Sequence, residues 1–313
     1  MAITPNEIFQ DAEKARDWLE ALLWPEGPVC PHCGCIDNAT KFQGKAHRDG
    51  VWKCKPCEKQ FTVTVGTVFE RSHIPLNKWL MALFLLTSSK KGMSTHQMHR
   101  MLAISYKSAW FMTMRLRKAL ESGTLPDPLG GIGKPVEIDE TYVGGKARNR
   151  KNHIPPKEAV VSLVQRKGGV RSHHVASVNG ETLGPILKAG IRKDTFIMTD
   201  DSTVYPPITG EFRGHGTVNH SAEEYVRGVF YHTNTVENYF SILKRGIIGT
   251  FHHVSPEHLH RYLVEFDFRY NNRVGLGVND NERFTKAAKG IVGKRLTYRR
   301  IDGRAEVQEA PPF

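Results

Sequence analysis

Four cysteines constrain this chain more than any other feature. They stand in two Cys-x2-Cys pairs, Cys30-Pro-His-Cys33 and Cys54-Lys-Pro-Cys57, with twenty residues between the pairs. Each pair puts two thiolates on one tight turn, and two such turns can close a tetrahedron around Zn2+ at about 2.3 Å per Zn–S bond. Lys41-Phe-Gln, Val51-Trp-Lys and Gln60-Phe-Thr-Val-Thr-Val read as short strands around these knuckles. The expected module is a zinc ribbon with one structural Zn2+ on Cys30, Cys33, Cys54 and Cys57. Disulfides are the competing use of four cysteines, but they belong to an oxidising compartment. Cys35 is left over, and His32 and His47 read as surface residues rather than ligands.

Helical segments flank the ribbon. Asn6 to Leu23 carries Ile8, Phe9, Ala12, Ala15, Trp18, Leu19 and Leu22 on one side, the pattern of a single amphipathic helix. Leu76 to Leu86 reads as a buried helix. Ser94-Thr-His-Gln97 is a capping box that opens a short helix to Leu102. Ala103-Ile-Ser105 is a tight turn, and Tyr106 to Lys118 is a longer basic helix. Short helix, tight turn, a Ser cap at Ser105 and a longer basic helix make a helix-turn-helix pattern, with Lys107, Ser108, Arg115 and Arg117 as the candidate DNA contacts. A plain three-helix packing unit is the alternative. The charge balance bears on the choice: 44 Lys+Arg stand against 32 Asp+Glu, a net +12. That surplus favours a polyanionic partner, double-stranded DNA before a membrane. The longest apolar run, Trp79 to Leu86, is too short to span a bilayer. The first residues lack the basic and apolar regions of a signal peptide. A soluble protein of a reducing compartment is expected.

Residues 122–134 are dense in Gly and Pro and read as a linker. Beyond them the period changes to that of strands. Val136-Glu-Ile-Asp139-Glu-Thr-Tyr-Val143 is one, and Ala159 to Gln165 and Val170 to Ser177 form a hairpin around Arg-Lys-Gly-Gly. A helix from Thr182 to Ile191 and a strand Thr195 to Asp200 follow, with Thr217-Val-Asn-His as a further short strand. Three strands, a helix, a strand and then helices give the layout of a ribonuclease-H-like α/β sheet, in which Asp139 and Asp200 sit side by side. His232 to Gly246 reads as a helix opening, with Thr233 or Asn234 able to cap the first turn and Val236, Phe240 and Leu243 at helical spacing. Glu237 and Lys244 lie almost two turns apart on one side of it, a spacing that by itself more often marks a solvated face.

Cutting or joining a phosphodiester suits two hard cations about 3.5–4 Å apart, held by carboxylates. Asp139 is the expected bridging ligand, with Asp200 on one Mg2+ or Mn2+ and Glu237 on the other, and Lys244 holds a DNA phosphate. Glu137, Glu140 and Asp201 are neighbouring acids. Glu137 shares a strand face with Asp139, whereas Glu140 and Asp201 point away from their partners on a regular strand.

Ile138-Asp139-Glu-Thr-Tyr-Val-Gly-Gly145, Met198-Thr-Asp200 and His232-Thr-Asn-Thr-Val-Glu-Asn-Tyr-Phe-Ser-Ile-Leu-Lys-Arg-Gly246 carry a resemblance. Gly249-Thr-Phe-His-His253, Tyr262 to Arg273 and the cysteine knuckles extend it. Together they resemble an insertion-sequence DDE transposase with an N-terminal zinc ribbon ahead of an integrase-like core. The resemblance implies a Mg2+-dependent enzyme that binds the terminal inverted repeats of its own element and cleaves and transfers DNA strands. Asp139, Asp200, Glu237 and Lys244 would be its catalytic set and Arg245 a further DNA contact. A domesticated DNA-binding protein without catalysis, or a nuclease on the same fold without strand transfer, are the alternatives. Two DNA ends must be brought together with a target, so a homodimer or larger assembly is expected. The α/β multidomain organisation reads as an N-terminal helix (1–24), zinc ribbon (25–70), helix-turn-helix-like domain (71–121), linker (122–134), ribonuclease-H-like catalytic domain (135–273) and basic tail (274–313). The tail is expected to be loose from about Asp302.

Overall fold

The computed structural model describes residues 5–44, 46–122, 127–144, 157–218, 226–227 and 231–297. Gly145 and the tail from Asp302 lie outside the described residues. The chain divides into two compact units, one of residues 1–88, 94–121 and 280–313, the other of residues 89–93 and 122–279.

The first unit begins with α1 (Pro5–Gln10) and α2 (Ala12–Leu23) rather than one helix. The break falls at Asp11, whose carboxylate accepts the Glu13 and Lys14 N–H groups and so starts a new helix. Strands β1 (Ala39–Lys41), β2 (Trp52–Cys54) and β3 (Gln60–Phe61) pair antiparallel in that order. The third strand is shorter than its alternating Thr and Val residues suggested, because the chain turns from Thr62 onward. Trp24 sets its ring edge-on to Trp52 and Phe61 over this small sheet. Next come α3 (Leu76–Ser88), α4 (Thr95–Leu102) and α5 (Tyr106–Leu120). The Ser94 hydroxyl accepts the Gln97 N–H and the Ser105 hydroxyl accepts the Ser108 N–H, so both caps read from the sequence are made. Ala103 takes the left-handed conformation that ends α4.

The second unit is built on a five-stranded sheet in the order β6-β5-β4-β7-β8. Strands β4 (Val136–Gly144), β5 (Lys157–Gln165) and β6 (Val170–Val175) form an antiparallel meander. After α6 (Gly180–Gly190), β7 (Phe196–Asp200) returns parallel to β4. The short α7 (Pro206–Thr209) leads to β8 (Gly214–Val218), parallel to β7. β9 (Val226–Arg227) and β10 (Tyr231–His232) are a separate small pair. α8 (Asn234–Gly246) continues through a π-helical turn, Ile247–Phe251, and α9 (Pro256–Asn271) follows.

Alternation along the strands divides the core. Val136, Ile138, Val161 and Leu163 face Leu183, Leu187 and Tyr205, whereas Val160, Val164 and Val170 face α8 and α9. With both faces covered, β5 reads as an almost unbroken apolar run. This is a mixed α/β architecture consistent with a ribonuclease-H-like core behind a zinc-ribbon-like cysteine cluster. Gly246, the last residue of α8, has no room for a side chain: a Cβ there would lie 2.8 Å from the Lys91 carbonyl oxygen and against the Phe266 ring.

The chain then returns to its first unit. Asp280–Lys289 is α10, not part of a tail, and it buries Arg283, Phe284, Ala287 and Ala288. Phe284 stacks on Trp18 and meets Phe9 and Phe84. Its apolar stripe is narrow and set among charges, which is why the segment reads as basic and unpatterned.

On the α8–α9 side of the sheet one half-buried carboxylate is held by three donors. Asp267 accepts the Tyr239 hydroxyl at 2.5 Å, the Ser172 hydroxyl at 2.7 Å and the Ser172 N–H at 2.7 Å. Burial nevertheless pushes its carboxyl up to about 6. A folded-state value above the unfolded one means the native protein binds more protons between the two, so this group favours folding at low pH and that contribution is lost as pH rises through about 6. Asp267→Asn is therefore expected to compare progressively better with wild type in melting temperature as pH is raised from about 4 to about 7. A difference that stays flat across thermal melts in that range would show that Asp267 does not titrate in this way.

Candidate active site and zinc centre

The four cysteine sulfurs all lie within 4.8 Å of one another. Cys30 and Cys57 are 3.7 Å apart, and Cys33 and Cys54 are 3.6 Å apart. A ZnS4 tetrahedron with bonds of about 2.3 Å has edges of roughly 3.8 Å, the spacing of these two pairs, so the cluster has the donors and the size for one zinc ion. All five cysteines are free thiols. Cys35 packs beside the cluster, His32 Nε2 lies 3.3 Å from the Gln60 carbonyl oxygen, and His47 stacks on Phe42, so none competes as a ligand.

The acids come together through the sheet. β4 and β7 pair Val136 with Ile197 and Glu137 with Met198. Carried forward, that register sets Asp139 beside Asp200. Asp139 Oδ1 accepts the Glu140 N–H at 2.8 Å, and Asp200 Oδ1 accepts the Ser202 N–H at 3.2 Å. Glu237 projects from the first turn of α8, and the Thr233 hydroxyl donates to its Oε1 at 2.9 Å. Burial raises the Asp139 carboxyl to about 7, against the Glu140 N–H, and the charges of Glu140, Asp200 and Glu237 push it further in the same direction. Carboxylates crowded in this way are an oxygen-rich donor set that suits a hard divalent cation. Among the described residues only the cysteines already converge as a closed metal cage.

The neighbouring acids have separate places. Glu140 turns to the other face of β4, where its Oε2 accepts the Tyr205 hydroxyl at 2.6 Å. Asp201 is exposed. Glu137 is fully buried, with its oxygens occupied by protein donors. Lys244 and Arg245 lie exposed in the last turn of α8.

Of the DNA contacts expected on α5, Lys107 is exposed and Ser108 half-buried at the helix start. Arg115 and Arg117 are a correction. Arg115 is 5% exposed and donates to the Glu70 and Leu296 carbonyls, and Arg117 is 1% exposed. A basic residue on a helix also faces inward when backbone carbonyls wait there, and nothing in the spacing distinguished the two cases. Two residues that shape the site escaped the sequence reading altogether. Arg166, in the hairpin turn, and Thr235 both bond Glu137. The available signal was a Glu set between Val136 and Ile138, two apolar residues of the strand.

One equivalent of zinc per chain is expected by elemental analysis of the purified protein, with loss of the metal and a red shift of Trp24 and Trp52 fluorescence in Cys54→Ser. Full-length protein purified without zinc and still showing buried tryptophans would overturn the assignment.

Two comparisons with known proteins bear on these sites. Residues 128–271 match the family model of the ISXO2-like transposase domain, and residues 10–60 match the transposase zinc-ribbon domain. The chain is 28% identical, over 85% of its length and 92% of the relative's, to an uncharacterized protein in transposable element ISH50 of Halobacterium salinarum. It is also 29% identical to an uncharacterized transposase-like protein of Haemophilus influenzae, over 31% of this chain and 77% of that one. Among the described residues no helix is long and apolar enough to cross a membrane. With a cysteine cluster that fits zinc in the one matched region and the sheet-borne acids in the other, the chain belongs to the insertion-sequence transposases that join a zinc ribbon to an ISXO2-like domain.

Proposed function

We propose that this protein binds the terminal inverted repeats of its element and catalyses DNA cleavage and strand transfer there. The observation that supports it best is the parallel pairing of β4 with β7, which sets Asp139 beside Asp200 with Glu237 near enough to act on the Asp139 charge. Two Mg2+ or Mn2+ ions bound by Asp139, Asp200 and Glu237 would supply activation of the attacking oxygen and stabilisation of the leaving oxygen. Asp139, which feels the charge of both Asp200 and Glu237, would serve as a ligand to both ions. Lys244, exposed two turns beyond Glu237, takes a DNA phosphate as a point charge, and Arg245 lies beside it. Lys107 and Ser108, at the start of α5, meet the DNA of the element's ends. Joining two ends to one target calls for a dimer or a larger assembly on DNA. The setting is the cytoplasm, at the nucleoid.

The test is strand transfer by the purified protein, with Mg2+, on DNA carrying the flanking ends of its own gene. Joined products are expected for wild type, with losses on the order of a thousandfold or more in Asp139→Ala, Asp200→Ala and Glu237→Gln. Lys244→Ala is expected to lose about ten- to a hundredfold, the scale of one charged hydrogen bond. Joining by Glu237→Ala at the wild-type rate would assign the third ligand to another group. Wild type that binds the ends without ever cutting them would make this a DNA-binding protein.

A further inference from the structure

α8 carries Glu237 and Lys244, yet it has no side-chain cap of its own. The N-cap residue, Thr233, makes no capping hydrogen bond, and its hydroxyl goes to Glu237 instead. Helix N-termini leave N–H groups that need acceptors, most of all where water is excluded. Here the acceptor comes from the sheet. Glu137 Oε2 accepts the Thr235 N–H at 2.7 Å and the Val236 N–H at 2.9 Å. Its Oε1 accepts the Thr235 hydroxyl at 2.8 Å and Arg166 Nε at 2.5 Å. Arg166 also donates to the His232 carbonyl at 2.7 Å, just before the helix, and His232 Nδ1 lies 3.2 Å from Glu137 Oε1.

Glu137 is 0% exposed, so this is a carboxylate enclosed by the groups it serves. A buried acid is costly unless its oxygens are satisfied and a positive partner is close. Arg166 and the positive end of α8 supply both. The position of Glu137 in the chain gives the arrangement its meaning. It stands two residues before Asp139 on the same face of β4, so the strand that carries the first acid also grips the helix that carries the third.

We infer that Glu137 is a positioning residue: it fixes the first turn of α8 against β4 and thereby sets the distance between Glu237 and the Asp139–Asp200 pair. It touches neither substrate nor metal. This inference rests on the reading of those three acids as the metal site, and the experiment separates the two.

The variant is Glu137→Gln, which preserves size but places an N–H2 where an acceptor is needed, with Thr235→Val as a milder partner that deletes one bond. Four quantities are read on the full-length protein. Amide hydrogen exchange reports residues 233–240 against residues 241–246, Mn2+ titration followed by electron paramagnetic resonance reports the acids, and strand transfer is measured alongside binding of the end DNA. Glu137→Gln is expected to speed exchange in the first turn of α8 alone, weaken Mn2+ binding about 10–100-fold and slow joining by a similar factor, with DNA binding unchanged. Thr235→Val is expected to fall between it and wild type.

Wild-type Mn2+ affinity and joining in a Glu137→Gln protein whose α8 first turn exchanges faster would overturn the inference, as would exchange that does not change at all. If Glu137→Gln fails to fold, Thr235→Val decides alone, and wild-type metal binding in it counts against the inference. Should wild type bind Mn2+ but never join ends, the transposition reading fails while exchange and metal affinity still test the role of Glu137.

Discussion

The second unit depends on one parallel pairing. β4 lies between an antiparallel partner, β5, and a parallel one, β7, that returns only after the hairpin and α6. Parallel neighbours need such a crossover, and the crossover puts α6 over one face of the sheet. Because both strands point the same way, two acids more than sixty residues apart in sequence arrive at the same end of adjacent strands. A slip of one residue would turn Asp139 onto the face of Ile138 and Tyr205. The apolar alternation of β4 and β5 guards against that slip, since it would also drive Val136 and Ile138 out of their layer.

α8 is held to this sheet by polar as well as apolar contacts. Val236, Phe240 and Leu243 supply the apolar part. At its start the helix is tied to Glu137, and one turn later Tyr239 reaches Asp267 on α9. Apolar packing alone tolerates small rotations and slides, whereas hydrogen bonds to carboxylates have narrow angular tolerance. A helix that must present an acid at a defined place gains more from the second kind of restraint than from additional leucine.

Much of this was legible in the sequence. The cysteine spacing marked the ribbon, Ser94 and Ser105 marked two helix starts, and the change from helical to strand periodicity marked the second unit. Asp139, Asp200 and Glu237 stood out because each is an acid at the end or edge of an apolar pattern. What stayed hidden were relations that periodicity does not encode. The inward turn of Arg115 depends on carbonyls at Glu70 and Leu296, far away in the chain. The role of Glu137 depends on where α8 lands. The break at Asp11 follows from a capping bond that a continuous apolar stripe concealed.

The return of α10 has a consequence for how the protein comes into being. The aromatic cluster of Phe9, Trp18 and Phe84 is closed by Phe284, which leaves the ribosome only after every residue of the second unit has been made. Domains usually mature in the order of their synthesis. Here the unit that starts first must finish last, so the nascent chain completes its sheet and acids before it completes the helical core around them in sequence. A truncated translation product would thus lack a finished first unit, and a fragment with a complete ribbon-and-helix core but no five-stranded sheet cannot arise from premature termination.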